Sequence, residues 1–533
     1  MVHLPERRPM NCISRWLLAS LLALICAASS QAQVLRWAGQ ADILALDPHA
    51  ADHGTTNAIL GQVYEPLVRF SRDYQLEPSL ATAWRSINPK QIRFELRKGV
   101  KFHDGLAFSA DDVIFSFRRA LHANARTGVY LQGVVEVRKV DSHTVDFILD
   151  APNPVLLRTM TNFFIMNRSW AETHKAVNPP SLRQGEEGYA VRHANGTGPY
   201  RITAWLQEQR INFVQNTDWW DAKNASNIKE ASYMPIKSDQ TRIAALMSGE
   251  VDLLSDVPTQ DVGRLRGHAG IKVMDGNEAR TIYIAMDVGS ELAPGVSVAG
   301  ANPFKDQRVR EALSLAIDRN ALQRVVMRGM ATPAATLVAP AVQGYDKALD
   351  TPAPADPERA RKLLQEAGYA QGFEVTLQCP NNRYVNDEEL CTALVPMWAR
   401  IGIRAKLKTE PFSSYSSRMN TREMGLFMAG WGNSPLDAHY TLTSILRTQT
   451  RKDGLGNYSR ISDPTLDALI DAARTELDPA KRSALVRDAQ QRAKAQMWLI
   501  PLHHQMRPWA MKPSVETAHR VGDQPWLRLT TLR

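Results

Sequence analysis

The chain opens its regular pattern with period-two alternation. Ile92, Phe94 and Leu96 alternate with Arg93, Glu95 and Arg97, which predicts a strand with one buried face. Ser109 then stands where a helix N-cap belongs, with Asp111 and Asp112 in the first turn and Val113, Phe117 and Leu121 as one apolar stripe. A second helix opens at Asp356 with Pro357 in the first helical position and is expected to stop at Gly368. A third places Leu390, Leu394, Trp398 and Ile401 on one face, with Pro396 predicting a kink, and yields to the alternating run Ile403–Leu407. Thr281–Met286 reads as a buried strand, and the Pro/Ala-rich stretches 333–340 and 351–354 read as surface connections. This succession predicts an α/β protein built around sheets.

Length and composition place the chain among globular proteins of several domains or subdomains: 533 residues, 44% hydrophobic, 22% charged. Its net charge of +9 raises the question of nucleic acid. The basic residues, however, are dispersed in pairs such as Arg118-Arg119 and Lys481-Arg482 among acids, without a stripe, so no nucleic-acid partner is expected. Residues 1–32 carry the pattern of an export signal. Arg7, Arg8 and Arg15 precede an apolar run from Trp16 to Ala28, and Ser30 and Ala32 supply the small residues of a cleavage site after Ala32. That run is too short to span a bilayer, and Ile25 before Cys26 does not suit a lipoprotein signal. The expected product is soluble and exported, with two cysteines left, Cys379 and Cys391. In an oxidising compartment that pair reads as a disulfide, the other reading being two buried thiols.

Enzyme chemistry finds little support. Gly295–Ala299 lacks the second glycine of a nucleophile elbow, and no H-E-x-x-H pair is present. The adjacent His503 and His504 point apart on any regular element, and His103-Asp104-Gly105 reads as a turn. No glycine pattern for phosphates appears, and no cofactor or metal is expected.

Several stretches, in order, carry a resemblance: Leu46-Asp47-Pro48-His49, Val63–Val68, Leu76–Ala81, Phe94–Gly105, Gly196–Tyr200, Phe304–Leu313 and Phe427–Gly432. Together they resemble extracytoplasmic solute-binding protein family 5, the dipeptide-, oligopeptide- and nickel-type receptors of ABC importers, over nearly the whole exported chain. The resemblance implies a type II periplasmic-binding-protein fold, two lobes joined by crossing strands, with an extra N-terminal subdomain. The expected division is residues 33–75, 195–286 and 502–533 for the core of lobe I, 76–194 for the extra subdomain and 287–501 for lobe II. It also implies a periplasmic, monomeric receptor that captures a peptide or peptide-like solute and delivers it to a permease of two membrane subunits driven by two ATPases. An opine, sugar or other solute in the same role is an alternative, and an exported peptide hydrolase is the rival from another class.

The resemblance further implies where ligand groups sit. Receptors of this kind hold an α-amino group with an acid just after the Gly-Trp strand, but here Gly430-Trp431-Gly432 is followed by Asn433 and Ser434, and the nearest acid is Asp437. Asp437 either substitutes for that acid or caps the segment 438–442. Trp431 is a candidate apolar wall. Arg383, beside Tyr384 in the loop between the two cysteines, is the candidate for a ligand carboxylate, or else a solvated arginine. His53, Gly54 and Thr55 form a third candidate, or a turn and helix start.

Overall fold

The computed structural model describes residues 34–533 apart from Lys452 and Asp523. The expected export signal and its expected cleavage point lie outside the described residues. The patterned segments form the elements their spacing demands. Gln91–Leu96 is a strand, and Ala110–Ala120 is a helix closed by a capping box between Ser109 and Asp112. Asp356 caps Pro357–Glu366, which stops two residues short of Gly368, where φ is +89°. Asp387–Ala399 runs as one helix through Pro396. It is followed by the strand Arg404–Glu410.

Three sheets organise these elements. The first runs in the order Lys272–Met274, Trp509–Met511, Leu253–Leu254, Val34–Gly39, Glu230–Pro235, Arg210–Gln215, Tyr200–Leu206. Trp37, Tyr200, Tyr233 and Trp509 fill its core. The second has Val296–Ser297, Glu374–Pro380, Leu426–Gly432, Asn277–Met286, Leu499–Met506 and Ala331–Pro333 in that order, with Arg404–Glu410 beside Glu374–Pro380. The third is a four-stranded antiparallel sheet of residues 81–149 with its own core around Phe94, Phe102, Phe108 and Phe147.

The central strand Asn277–Met286 explains its own unbroken apolar run. Ile282, Ile284 and Met286 enter the core on one face of the second sheet, Tyr283 and Ala285 the core on the other. A strand covered on both faces has no polar side to alternate. It pairs antiparallel with Leu499–Met506, and these two strands carry the chain between the lobes. Both lie in the second sheet along their whole length. The expected crossing points at Met286 and Pro501 therefore lie within the second sheet, while Lys272–Met274 and Trp509–Met511 pair in the first. A second correction concerns 333–340. Ala334, Thr336, Val338 and Ala339 are buried, because the amides of Ala335 and Thr336 donate to the Asp350 carboxylate and Val338 and Ala339 pack under the second sheet. A Pro/Ala-rich composition resembled a surface connection because small apolar residues serve either purpose.

Candidate functional site

A cavity of about 280 Å³ lies between the lobes. Lobe I contributes the helix Gly54–Leu60 through Gly54, Asn57 and Ala58, then Tyr64, Phe70 and Tyr74, and from the tail Arg520, Gln524, Trp526 and Arg528. The crossing strand contributes Glu278, Ala279 and Arg280, and lobe II contributes Gly432, Asn433, Ser434 and Leu436 at the end of the Gly-Trp strand. The lobes touch. Arg158 donates to the Leu436 carbonyl at 3.4 Å, Asn386 to the Thr259 hydroxyl at 2.9 Å, and Phe70 packs into the core of lobe II.

Asn433 lines this cavity and also closes its own turn. Its amide nitrogen donates to the Asp437 carbonyl and the Thr441 hydroxyl, and its side-chain oxygen accepts from the Asp437 amide. The side chain of Asp437 is turned the other way. Only 2% exposed, it caps the helix Ala438–Thr441 through the His439 amide and forms a two-pronged ion pair with Arg482 at 2.8 and 3.0 Å. Of the two expectations for Asp437, the geometry is that of the cap. With both carboxylate oxygens engaged behind the turn, the arrangement favours the cap over capture of a ligand amine.

Trp431 does not line the cavity. Its ring meets Tyr440 at 5.7 Å, and its indole N–H has no partner among the described residues. Tyr384 is buried and braces the same strand from beneath: its hydroxyl accepts from the Gly430 amide at 2.9 Å. A Cβ at Gly430 would come within 2.6 Å of the Tyr384 ring, so glycine is what permits this bracing.

Arg383 is exposed on the neighbouring loop, with its guanidinium over Phe412 at 5.2 Å and Tyr384 at 5.6 Å. The disulfide Cys379–Cys391 brackets this loop, and Asp387 accepts the amides of Arg383 and Tyr384. Crowding of the guanidinium, with the positive charge of Arg280 beside it, lowers the Arg383 pKa. His53 precedes the helix at the cavity rim without capping it through its side chain, and Thr55 is half-buried. Burial, then the charge of Arg383 across the cleft, lowers the His53 pKa. The structure thus brings His53, Arg383 and Arg280 into one electrostatic neighbourhood, while Gly54 rather than His53 or Thr55 reaches the cavity wall.

Sequence reasoning missed the richest part of the wall. Arg69 and Glu65 sit in a closed network: Arg69 contacts Glu77 at 2.7 Å and Asp221 at 2.9 Å, and Glu65 accepts from Thr197, Trp219 and Trp220. Beside them the Arg520 and Arg528 guanidiniums lie over the Trp526 ring, at 4.1 and 4.7 Å. These residues come from opposite ends of the chain, and no local spacing announces them.

One constellation resembles hydrolytic machinery. The Thr281 hydroxyl lies 2.9 Å from His504 Nδ1, and His504 Nε2 lies 2.8 Å from Asp350. All three are buried in the hinge, the Thr281 hydroxyl also reaches the Leu337 carbonyl, and the cavity nearby holds about 20 Å³. That is room for a single water and not for a peptide bond. Among the described residues no group of three His, Cys, Asp or Glu could hold a metal ion, and no helix is long and apolar enough to cross a membrane.

Comparison with known proteins gives a consistent result. The dipeptide-binding protein of Escherichia coli (strain K12) is 28% identical over 501 residues, covering 88% of this chain and 89% of that protein. Heme-binding protein A of Haemophilus influenzae is 28% identical over 510 residues, covering 90% and 86%. Among solved structures, the dipeptide binding protein from Pseudoalteromonas sp. SM9913 in complex with Met-Leu superposes with a TM-score of 0.77. It is 23% identical and covers 94% of this chain and all of that one. Its likeness establishes the two-lobed α/β fold of the periplasmic binding proteins. Residues 75–453 match the family model described as bacterial extracellular solute-binding proteins, family 5 Middle, and the chain belongs to that family.

Proposed function

We propose that this protein is the exported substrate-binding component of an ABC importer, holding a peptide or peptide-like solute between its lobes and presenting it to a membrane permease. The observation that carries this reading is the cavity walled by both lobes and floored by the crossing strand Asn277–Met286. A ligand that touches both walls stabilises the closed arrangement by contacts the open one lacks, and a permease can then distinguish loaded from empty receptor. Micromolar to nanomolar binding needs about −8 to −12 kcal/mol, within reach of an enclosed cleft with a few charged groups. Arg383, exposed on its disulfide-bracketed loop outside the cavity wall, is the candidate for a ligand carboxylate, and Ser434 at the wall offers a neutral polar contact where an acid was expected. Periplasmic location, a monomeric state and a permease with two membrane subunits and two ATPases belong to the same proposal.

Native mass spectrometry of the protein purified without denaturation tests it. A retained small-molecule mass, lost on unfolding, supports the receptor and identifies a peptide, opine or sugar. Peptides returned as shortened products would sink it in favour of a hydrolase.

A further inference from the structure

Resting on the receptor reading, a second observation goes further: the tail wall holds positive charge that the protein itself leaves poorly matched. Arg520 is 4% exposed, lines the cavity, and donates to the Ser71 carbonyl. Among the described residues it makes no ion pair; its other contacts are the rings of Tyr74 and Trp526. Arg528 donates to the Phe70 carbonyl and meets Glu77 at 3.6 Å, but Glu77 is already engaged by Arg69 at 2.7 Å. Burial, reinforced by Arg69, brings the Arg528 pKa down to about 9. Two cations thus face one enclosed space over a shared indole, each with a backbone carbonyl as its nearest acceptor. Burying charge in this way is costly unless something neutralises it.

We infer that Arg520, Trp526 and Arg528 form an anion subsite that takes a carboxylate of the bound solute, separate from any carboxylate met by Arg383. The fork of N–H donors on each guanidinium matches a carboxylate, and Trp526 offers a flat apolar surface for the carbon chain that carries it. The preferred solute accordingly carries an acidic group besides a terminal carboxylate, or is a compact dicarboxylate. The turn at Asn433 and Ser434 adds no charge to the wall, and the Glu278 carboxylate at the cavity is already paired with Arg280 and Arg507.

The test uses matched pairs differing in one charge: Ala-Ala-Glu against Ala-Ala-Gln, and glutarate against glutaramate. Each is titrated into the full exported chain with dissociation constants read by calorimetry and melting temperatures read alongside. The acid member of at least one pair is expected to bind about tenfold tighter than its amide. That ratio is expected to collapse towards one in Arg520→Gln and Arg528→Gln, with Arg520→Lys retaining part of it. Acid preference in the glutarate pair alone would keep the subsite and remove the peptide reading. Equal binding of acid and amide in both pairs, or no binding by any of the four, would overturn the subsite. So would variants that melt lower while keeping the acid-to-amide ratio, since the arginines would then only brace the segment from Phe70 to Glu77.

Discussion

The two walls of the cleft handle charge in opposite ways. In lobe II the first acid after the Gly-Trp strand, Asp437, is matched in full: Arg482 takes both oxygens and the His439 amide takes one. What that turn presents to the cavity is neutral, beside the paired Glu278 and Arg280 of the crossing strand. In lobe I, among the described residues, the tail presents Arg520 with a carbonyl and aromatic rings, and Arg528 with a carbonyl, an indole and a Glu77 that Arg69 holds more closely. A matched ion pair is structure, and its removal is felt in stability. An unmatched charge facing a cavity is a demand for a partner, and its removal is felt in binding. The same residue types therefore predict different outcomes on the two sides.

The largest effect is expected from Arg482→Ala, which leaves Asp437 buried beside its helix without a cation. About 3 kcal/mol or more of stability should be lost, read as a lowered midpoint in urea, while ligand affinity of the folded protein holds. Affinity that collapses with the midpoint unchanged would return Asp437 to the ligand and erase the contrast. Next is Gly430→Ala. The added methyl meets Tyr384 at 2.6 Å and Ile282 at 2.7 Å, so overpacking of about 1–3 kcal/mol is expected, together with weaker binding as the Gly-Trp strand shifts. Unaltered stability and affinity would mean that the strand end is not held by Tyr384.

Beside the substitutions, pH sharpens the comparison because histidines are buried in both lobes. Burial brings His49, His103, His439 and His519 down to about 4, and His503 to about 3. An unfolded histidine titrates near 6.5, so between those values the unfolded chain binds more protons. The stability contributed is full above pH 6.5 and lost as the pH falls towards 4. A urea midpoint constant from pH 7 to pH 5 would contradict this.

Legibility varied from element to element. The capped helix at Ser109, the helix opening at Pro357 and the buried run Thr281–Met286 were readable because caps, proline and periodicity act on near neighbours. The stretch 333–340 was misread because its burial depends on Asp350 and on the underside of a distant sheet. Gly54 and Gly432 line the cavity while their neighbours His53 and Trp431 do not, because which side chain faces the cavity depends on helix phase and strand pleat at the ends of these elements. Arg520 and Arg528 were invisible as a pair with Phe70 and Ser71, more than four hundred residues away in the chain.

What the sequence determined by itself was the main local elements, Cys379 and Cys391 as a candidate pair, and the family with its two-lobed architecture. Those follow from periodicity, capping chemistry and motif order, all of which are written in consecutive residues. Only the tertiary structure decided that Asp437 serves a helix and Arg482, and that the tail supplies an arginine-lined wall. A charge becomes structural or functional according to which partner the fold brings within about 3 Å, and that distance is set by the packing of segments far apart in the chain.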